Sequence, residues 1–215
     1  TKAKEEECQA DAYNTDDIWY DYVITKFTNI LTTYDSCIGV DINSKKDGRT
    51  KYDRKLWDIL LQNVVPTGRN VFAIATTDAH QLDKVGCAWT SLCMPENNAE
   101  NVQTCLKNGS FFAVSRYIKN SEELAQFSLE TGIDWGTEFA QENRDDSIPA
   151  PKVTNITVDE NNDTITLSVE NALTVHWIAD GEVIAVGNSI DLDEHSDEIG
   201  SYVRAEAFGE GGVLY

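Results

Sequence analysis

A carboxylate and an imidazole stand two positions apart where an apolar run, residues 71–75, gives way to Thr76-Thr77-Asp78-Ala79-His80. If the backbone stays extended there, Asp78 and His80 point to the same side, because successive residues of a strand alternate between faces. A carboxylate and a neutral imidazole are donors that Zn²⁺, Mn²⁺ and Fe²⁺ accept in proteins. The spacing therefore predicts a pair of metal ligands, with a solvated loop as the alternative.

The elements around this pair follow an alternating order. Helical spacing of apolar residues predicts helices from about Asp16, over residues 53–64, and over 98–107 with Gly109 as the C-cap. Short apolar, β-branched runs predict strands in "CIGVDIN", "VFAIATT", "VGCAWTSLCM" and "SFFAVSRYI". This order is typical of an α/β fold with a largely parallel sheet, in which ligand-binding residues follow the carboxyl ends of the strands.

The pattern changes at Pro149 and Pro151. Residues 149–215 alternate with period two between turn signals, which predicts about six short strands and a small, sandwich-like all-β domain. Residues 1–148 form the α/β segment, with a polar, partly helical connector over about 120–148. Residues 159–170 imitate the ligand spacing of a calcium loop, but Thr164 replaces the required glycine and both flanks alternate, so a hairpin is predicted.

Composition narrows the classes of partner. The net charge is −20, from 37 acidic and 17 basic residues, which provides no basic patch for nucleic acid. No segment approaches the roughly 20 apolar residues of a membrane helix. The five cysteines are an odd number without a CxxC pair. They predict a reducing, cytoplasmic location, with a bridge between Cys8 and Cys37 as the alternative.

Five short motifs occur in order between residues 57 and 115. They are "WDILL" at 57–61, "TDAH" at 77–80, Gly86, "LKNG" at 106–109 and "FFAVS" at 111–115. Together they resemble the last part of a polymerase-and-histidinol-phosphatase (PHP) domain, a superfamily of metal-dependent phosphoesterases. The acidic β-rich region that follows is similar to the small C-terminal domain of many such proteins, so the resemblance covers about residues 40–215.

The resemblance implies the C-terminal part of a distorted (β/α)7 barrel followed by the small β domain. Asp78 and His80 would be metal ligands, and water activated by Mn²⁺, Zn²⁺ or Fe²⁺ would attack a small phosphorylated substrate. Asp41 is a candidate metal or site-lining residue, with an ordinary turn residue as the alternative. Ser115 and Arg116 are candidate substrate-binding residues, because arginine holds phosphate through two parallel bonds; a surface arginine is the alternative.

One departure from the PHP pattern limits these expectations. Complete members carry an HxH motif and further ligands, whereas this sequence has three histidines, His80, His176 and His195, and no HxH. No catalytic residue is assigned, and we expect a portion of a longer hydrolase, inactive alone, that starts within the barrel and stops within a strand. The alternatives are a non-catalytic relative or accessory module that binds a partner or polymer through its β domain, and a coincidental Asp-x-His on another α/β fold. A partial barrel exposes strand edges, which predicts a homodimer.

Overall fold

The computed structural model describes residues 18–43, 50–82, 85–118, 121–136, 139–140 and 147–215. Four α-helices lie within these ranges: α1 (Ile18–Thr33), α2 (Thr50–Val64), α3 (Ala99–Asn108) and α4 (Ser121–Thr131). All four occupy segments for which the sequence predicted helix. The first residues of the chain, including Cys8, and residues 120, 137–138 and 141–146 of the predicted connector lie outside the described residues.

Thirteen strands occur in the same ranges. Those before residue 147 are β1 (Gly39–Asn43), β2 (Phe72–Ala75), β3 (Ala88–Leu92), β4 (Phe111–Ser115), β5 (Tyr117–Ile118) and β6 (Phe139–Ala140). Those after it are β7 (Lys152–Asp159), β8 (Thr164–Glu170), β9 (Thr174–Ala179), β10 (Glu182–Val186), β11 (Ser189–Asp191), β12 (Arg204–Gly209) and β13 (Gly212–Leu214). Residues 147–215 therefore form strands and no helix, as their alternation predicted.

The sheets are mostly antiparallel, so the prediction of a largely parallel sheet is wrong. Only β1 and β2 pair in parallel within the described residues. A six-stranded sheet has the order β10-β9-β12-β13-β4-β3, a three-stranded sheet the order β11-β8-β7, and β5 pairs with β6. β3 and β4, which are consecutive strands, pair antiparallel, and β13 pairs antiparallel with the other side of β4. The described helices and strands together form a mixed α and β fold, and the described strands close no barrel.

β13 lies inside the six-stranded sheet, between β12 and β4. Leu214 pairs with Val114, and the backbone groups of Tyr215 and Ala113 exchange hydrogen bonds of 2.8 and 3.2 Å. The predicted domain boundary between residues 148 and 149 therefore separates β3 and β4 from four later strands of the same sheet. "EGGVLY", which was expected to stop within a strand, contains the turn after β12, then β13, and last Tyr215.

Two apolar cores lie on opposite faces of this sheet. The first joins α1, α2, β2 and α4 to the C-terminal strands through residues such as Leu31, Leu60, Phe127 and Phe208. The second fills the space between the six-stranded and three-stranded sheets, around Trp177 and Leu167. In the described residues, no helix is both long and apolar enough to cross a membrane.

Two local predictions are confirmed in detail. Gly109 ends α3 at φ +68°, as predicted. The helix begins after Asn98, whose side chain accepts a hydrogen bond from the Asn101 amide, a cap that was not predicted. A Cβ at Gly109 would lie 2.2 Å from the Phe72 ring, so the site also requires glycine for space. Residues 159–170 form the predicted hairpin between β7 and β8, in which Asp159 accepts a hydrogen bond from the Asn161 amide.

Candidate functional site

The parallel strands β1 and β2 end at one edge, and polar side chains collect there. Asp41 lies opposite Ile74 in the register of the two strands. Its carboxylate accepts a hydrogen bond of 2.6 Å from the Thr76 hydroxyl and one of 3.0 Å from the Asn43 amide. Asp41 therefore lies beside the segment that carries Asp78 and His80, and it holds the two strand ends together.

Asp78 and His80 come close to one another, but not through an extended backbone. Asp78 has φ +48°, a left-handed conformation that aspartate tolerates better than most residues. The His80 Nε2 atom lies 3.5 Å from the Asp78 Oδ1 atom, and the side chains are 86% and 48% exposed. That separation is too long for a good hydrogen bond, so both groups keep donor atoms that water or a cation can reach.

A complete set of metal ligands is not present in the described part of the chain. Its histidines, cysteines and acids form no group of three or more that could hold a metal ion. Asp78 and His80 therefore stand as a pair, and Asp41 does not join them as a third ligand.

Asn43 is a polar residue at this edge that the sequence analysis did not single out. Asn43 is 1% exposed, and among the residues that the structure describes its Oδ1 atom has no hydrogen-bond partner. A buried amide oxygen without a donor is unusual and costly. The signal in the sequence was its place two residues after Asp41 in "GVDIN", at the end of a predicted strand.

Ser115 and Arg116, the predicted substrate-binding residues, are buried and engaged within the protein. The Ser115 hydroxyl bonds to the amide and carbonyl of Tyr117 at 3.0 and 3.1 Å. The Arg116 guanidinium donates to the carbonyls of Ile148 and Gly211 and lies over the ring of Trp89. These contacts fasten β4 to the segments beside it, and a role in binding substrate stays a prediction.

A second polar group lies in the core between α2, α4 and the C-terminal strands. The guanidinium of Arg54 contacts Glu123, and that of Arg204 contacts Asp58 and Glu206. A cavity of about 300 Å³ opens beside these residues. Two arginines contact three carboxylates in this cluster, and these contacts join α2 to α4 and to β12.

His176 and Glu130 form a further buried pair that spacing along the chain could not reveal. His176 is on β9, and its Nε2 atom lies 2.6 Å from the Glu130 Oε2 atom on α4. The imidazole also stacks on the ring of Phe127, with 4.9 Å between centroids. The pair therefore joins α4 to the six-stranded sheet.

The contact between Glu130 and His176 should stabilise the fold less at acidic pH. Burial raises the pKa of Glu130, but hydrogen bonds from Gln126, His176 and Thr174 outweigh it and hold the pKa below its usual value. The contribution of ionised Glu130 to the free energy of unfolding is therefore complete above the ordinary glutamate pKa of about 4.3. It is lost as the pH falls through the lower pKa of the folded protein.

We expect Glu130→Gln to remove this contribution near neutral pH. The free energies of unfolding of the two proteins, measured by urea titration from pH 7 to pH 3, should converge as the pH falls. A constant difference across that range would show that the charge of Glu130 contributes nothing.

Comparison with known proteins leaves the site to be interpreted from its own geometry. No family model, no curated protein and no solved structure matches the chain. The class is therefore that of the described fold, a mixed α and β protein with mostly antiparallel sheets and one parallel pair. The arrangement at the carboxyl edge of that parallel pair carries the functional proposal.

Proposed function

We propose that this chain is part of a metal-dependent phosphoesterase of PHP type. The observation that carries the proposal is the proximity of Asp78 and His80 beyond the carboxyl edge of β1 and β2, where Asp41 also lies. The order of the five sequence motifs supports it. In this proposal α2 and the parallel pair belong to a distorted (β/α)7 barrel, which further strands would complete, and residues 149–215 form its appended β domain.

The exposed pair fits two positions of a metal site. The carboxylate of Asp78 and the Nε2 atom of His80 are donors that Mn²⁺, Zn²⁺ and Fe²⁺ accept. A bound ion would lower the pKa of its water and neutralise charge on the phosphate oxygens. Asp41 keeps Thr76 in place at the start of the loop, and the remaining ligands would come from outside the described residues.

The substrate class follows from the same resemblance. A small phosphorylated compound is proposed for the complete enzyme, and the portion described here is proposed to be inactive alone. Cys37, Cys87, Cys93 and Cys105 are free thiols, which supports the proposed reducing, cytoplasmic location.

Elemental analysis after incubation with Mn²⁺ or Zn²⁺ and exhaustive dialysis tests the proposal. We expect bound metal in the unmodified protein and its loss in Asp78→Ala/His80→Ala. A matched control is His195→Ala/Glu198→Ala, which removes a histidine–carboxylate pair 2.7 Å apart on an acidic loop away from β2. Metal binding should survive in that control. Absence of metal from the unmodified protein, or metal that the first double variant retains, would overturn the proposal.

A non-catalytic role in binding is the second candidate. Its support is the exposure of Ile156 and Val158, apolar residues of β7 in the C-terminal region, at 50% and 60%. A protein that binds no metal at Asp78 and His80 but associates through β7 would favour this candidate.

A further inference from the structure

β7 is an eight-residue strand at the edge of a sheet. It pairs with β8 on one side, and no strand among the described residues pairs with its other side. Lys152 and Asp159 are at its ends, and the six residues between them carry no charge in a protein whose net charge is −20. A long edge with exposed apolar residues and no central charge is a template for another strand.

The backbone groups that face this open edge can be identified from the neighbouring strand. The amide of Leu167 on β8 donates to the carbonyl of Asn188, on the side of β11, and so points away from β7. Ile156, the residue opposite Leu167, therefore sits in a pair without hydrogen bonds to β8. Its N–H and C=O groups point to the open edge, and by alternation those of Val158 do too.

A bulge changes the alternation at the other end of the strand. Val153 is opposite Val169 and Asn155 is opposite Ser168, so Thr154 is an extra residue. The groups of Val153 consequently also point outward. Val153, Ile156 and Val158 are therefore the residues whose backbone groups point to the open edge. Three positions separate the first two of them, and two positions separate the last two.

We propose that β7 pairs antiparallel with β7 of a second copy of this chain. With Ile156 on the two-fold axis, Val153 faces the partner's Val158, and the three-residue spacing of one strand lies against the two-residue spacing of the other. The bulge therefore fits the pairing instead of obstructing it. The same register places Lys152 opposite the partner's Asp159 at both ends, which gives opposite charges the favourable cross-strand position.

The pairing would join the two three-stranded sheets into one continuous sheet. It would also bring Ile156 against the partner's Ile156 and cover apolar side chains that are now exposed. The symmetry is isologous, because the same strand is used twice, so the assembly closes as a dimer. This inference does not rest on the proposed function, because none of its residues belongs to the site at β1 and β2.

Sedimentation velocity over a range of protein concentrations tests the pairing. We expect a monomer–dimer equilibrium in the unmodified protein and monomer alone in Ile156→Pro. The Ile156 N–H points away from β8, so proline removes an outward donor without breaking a bond of the hairpin. Ile156→Thr keeps that donor and should keep the dimer. Monomer at every concentration, or a dimer that survives Ile156→Pro, would overturn the inference.

A charge exchange tests the register even if the proline variant fails to fold. Lys152→Asp and Asp159→Lys each place like charges opposite one another at both ends, so each variant alone should associate about tenfold more weakly. An equimolar mixture restores opposite charges at both ends and should form a heterodimer with the original affinity. Association of Lys152→Asp that equals that of the unmodified protein, or a mixture no tighter than its components, would overturn the register. Pairing with a strand of another protein predicts neither result.

Discussion

Replacing Arg204 with methionine is expected to lower the free energy of unfolding by about 3–5 kcal/mol, the usual cost of removing one member of a buried ionic group. The Arg204 Nε atom lies 2.6 Å from Asp58 Oδ1, and its Nη1 atom lies 2.6 Å from Glu206 Oε1. All three side chains are at most 10% exposed. Methionine keeps an apolar stem but removes the guanidinium that lies over the Trp57 ring, and it leaves two buried carboxylates without the cation that contacts them.

The electrostatics of this group explain the size of the effect. Burial lowers the pKa of Arg204, but Glu206 and Asp58 reverse that shift and raise the pKa above its usual value, so the guanidinium stays charged. Burial, followed by the charge of Asp58, raises the pKa of Tyr202, whose neutral hydroxyl donates to Asp58 at 2.6 Å. The Tyr202 hydroxyl can still donate a hydrogen bond to Asp58 after the substitution, whereas Glu206 loses the guanidinium that contacts it.

Urea denaturation followed by circular dichroism would measure the loss. Arg69→Met is the matched control, because Arg69 also contacts a carboxylate at 2.6 Å, but that carboxylate, on Asp35, is 99% exposed. Its cost should not exceed about 1 kcal/mol. Neutralising both acids together with Arg204, as Asp58→Asn/Arg204→Met/Glu206→Gln, should recover much of the stability. Equal losses in Arg204→Met and Arg69→Met would contradict this account.

The parts of the fold that depend on local signals could be predicted from the sequence. The caps of α3 are set by Asn98 and Gly109, each within a few residues of the hydrogen bonds it makes or permits. The β7–β8 hairpin follows from two runs of alternating apolar and polar residues on either side of a turn with Asp159, Asn161 and Asn162. Such elements need no knowledge of distant partners, because neighbours along the chain decide the backbone conformation.

Strand pairing could not be predicted in the same way. The alternating order of strands and helices favoured parallel neighbours, but β4 pairs with β3 and with β13, a strand about a hundred residues further along. An antiparallel and a parallel neighbour require similar apolar residues in a buried strand, so composition did not distinguish them. The prediction of a largely parallel sheet was wrong for this reason.

The candidate site shows the same division. The proximity of Asp78 and His80 was expected from their spacing, but the left-handed backbone at Asp78 that produces it was not. The link from Asp41 to Thr76 depends on the register of two strands 35 positions apart. The pair of Glu130 and His176 is separated by 46 positions, and only the packing of α4 on β9 brings it together.

Phe208→Ala should have the second large effect, a loss of about 3–5 kcal/mol. The Phe208 side chain on β12 is fully buried and stacks on Phe127 of α4, with 4.0 Å between ring centroids and 5° between ring planes. Trp135 meets it edge-on at 5.1 Å. Alanine would leave a cavity between rings that are fixed by their own elements and cannot close it. Phe27→Ala, at a ring that is 37% exposed on α1, is the control and should cost much less.

The form of the unfolding curve adds a second result, because Phe208 lies after the predicted boundary at 148 and 149 and its aromatic partners lie before it. If the two segments unfold together, Phe208→Ala shifts a single transition, and near-ultraviolet and far-ultraviolet circular dichroism report the same midpoint. If residues 149–215 unfold as a separate domain, the two signals diverge and part of the transition keeps its original midpoint. The sheet shared by β4 and β13, together with the stack of Phe127 on Phe208, favours the single transition. Divergent midpoints in the unmodified protein would show that these contacts do not couple the segments.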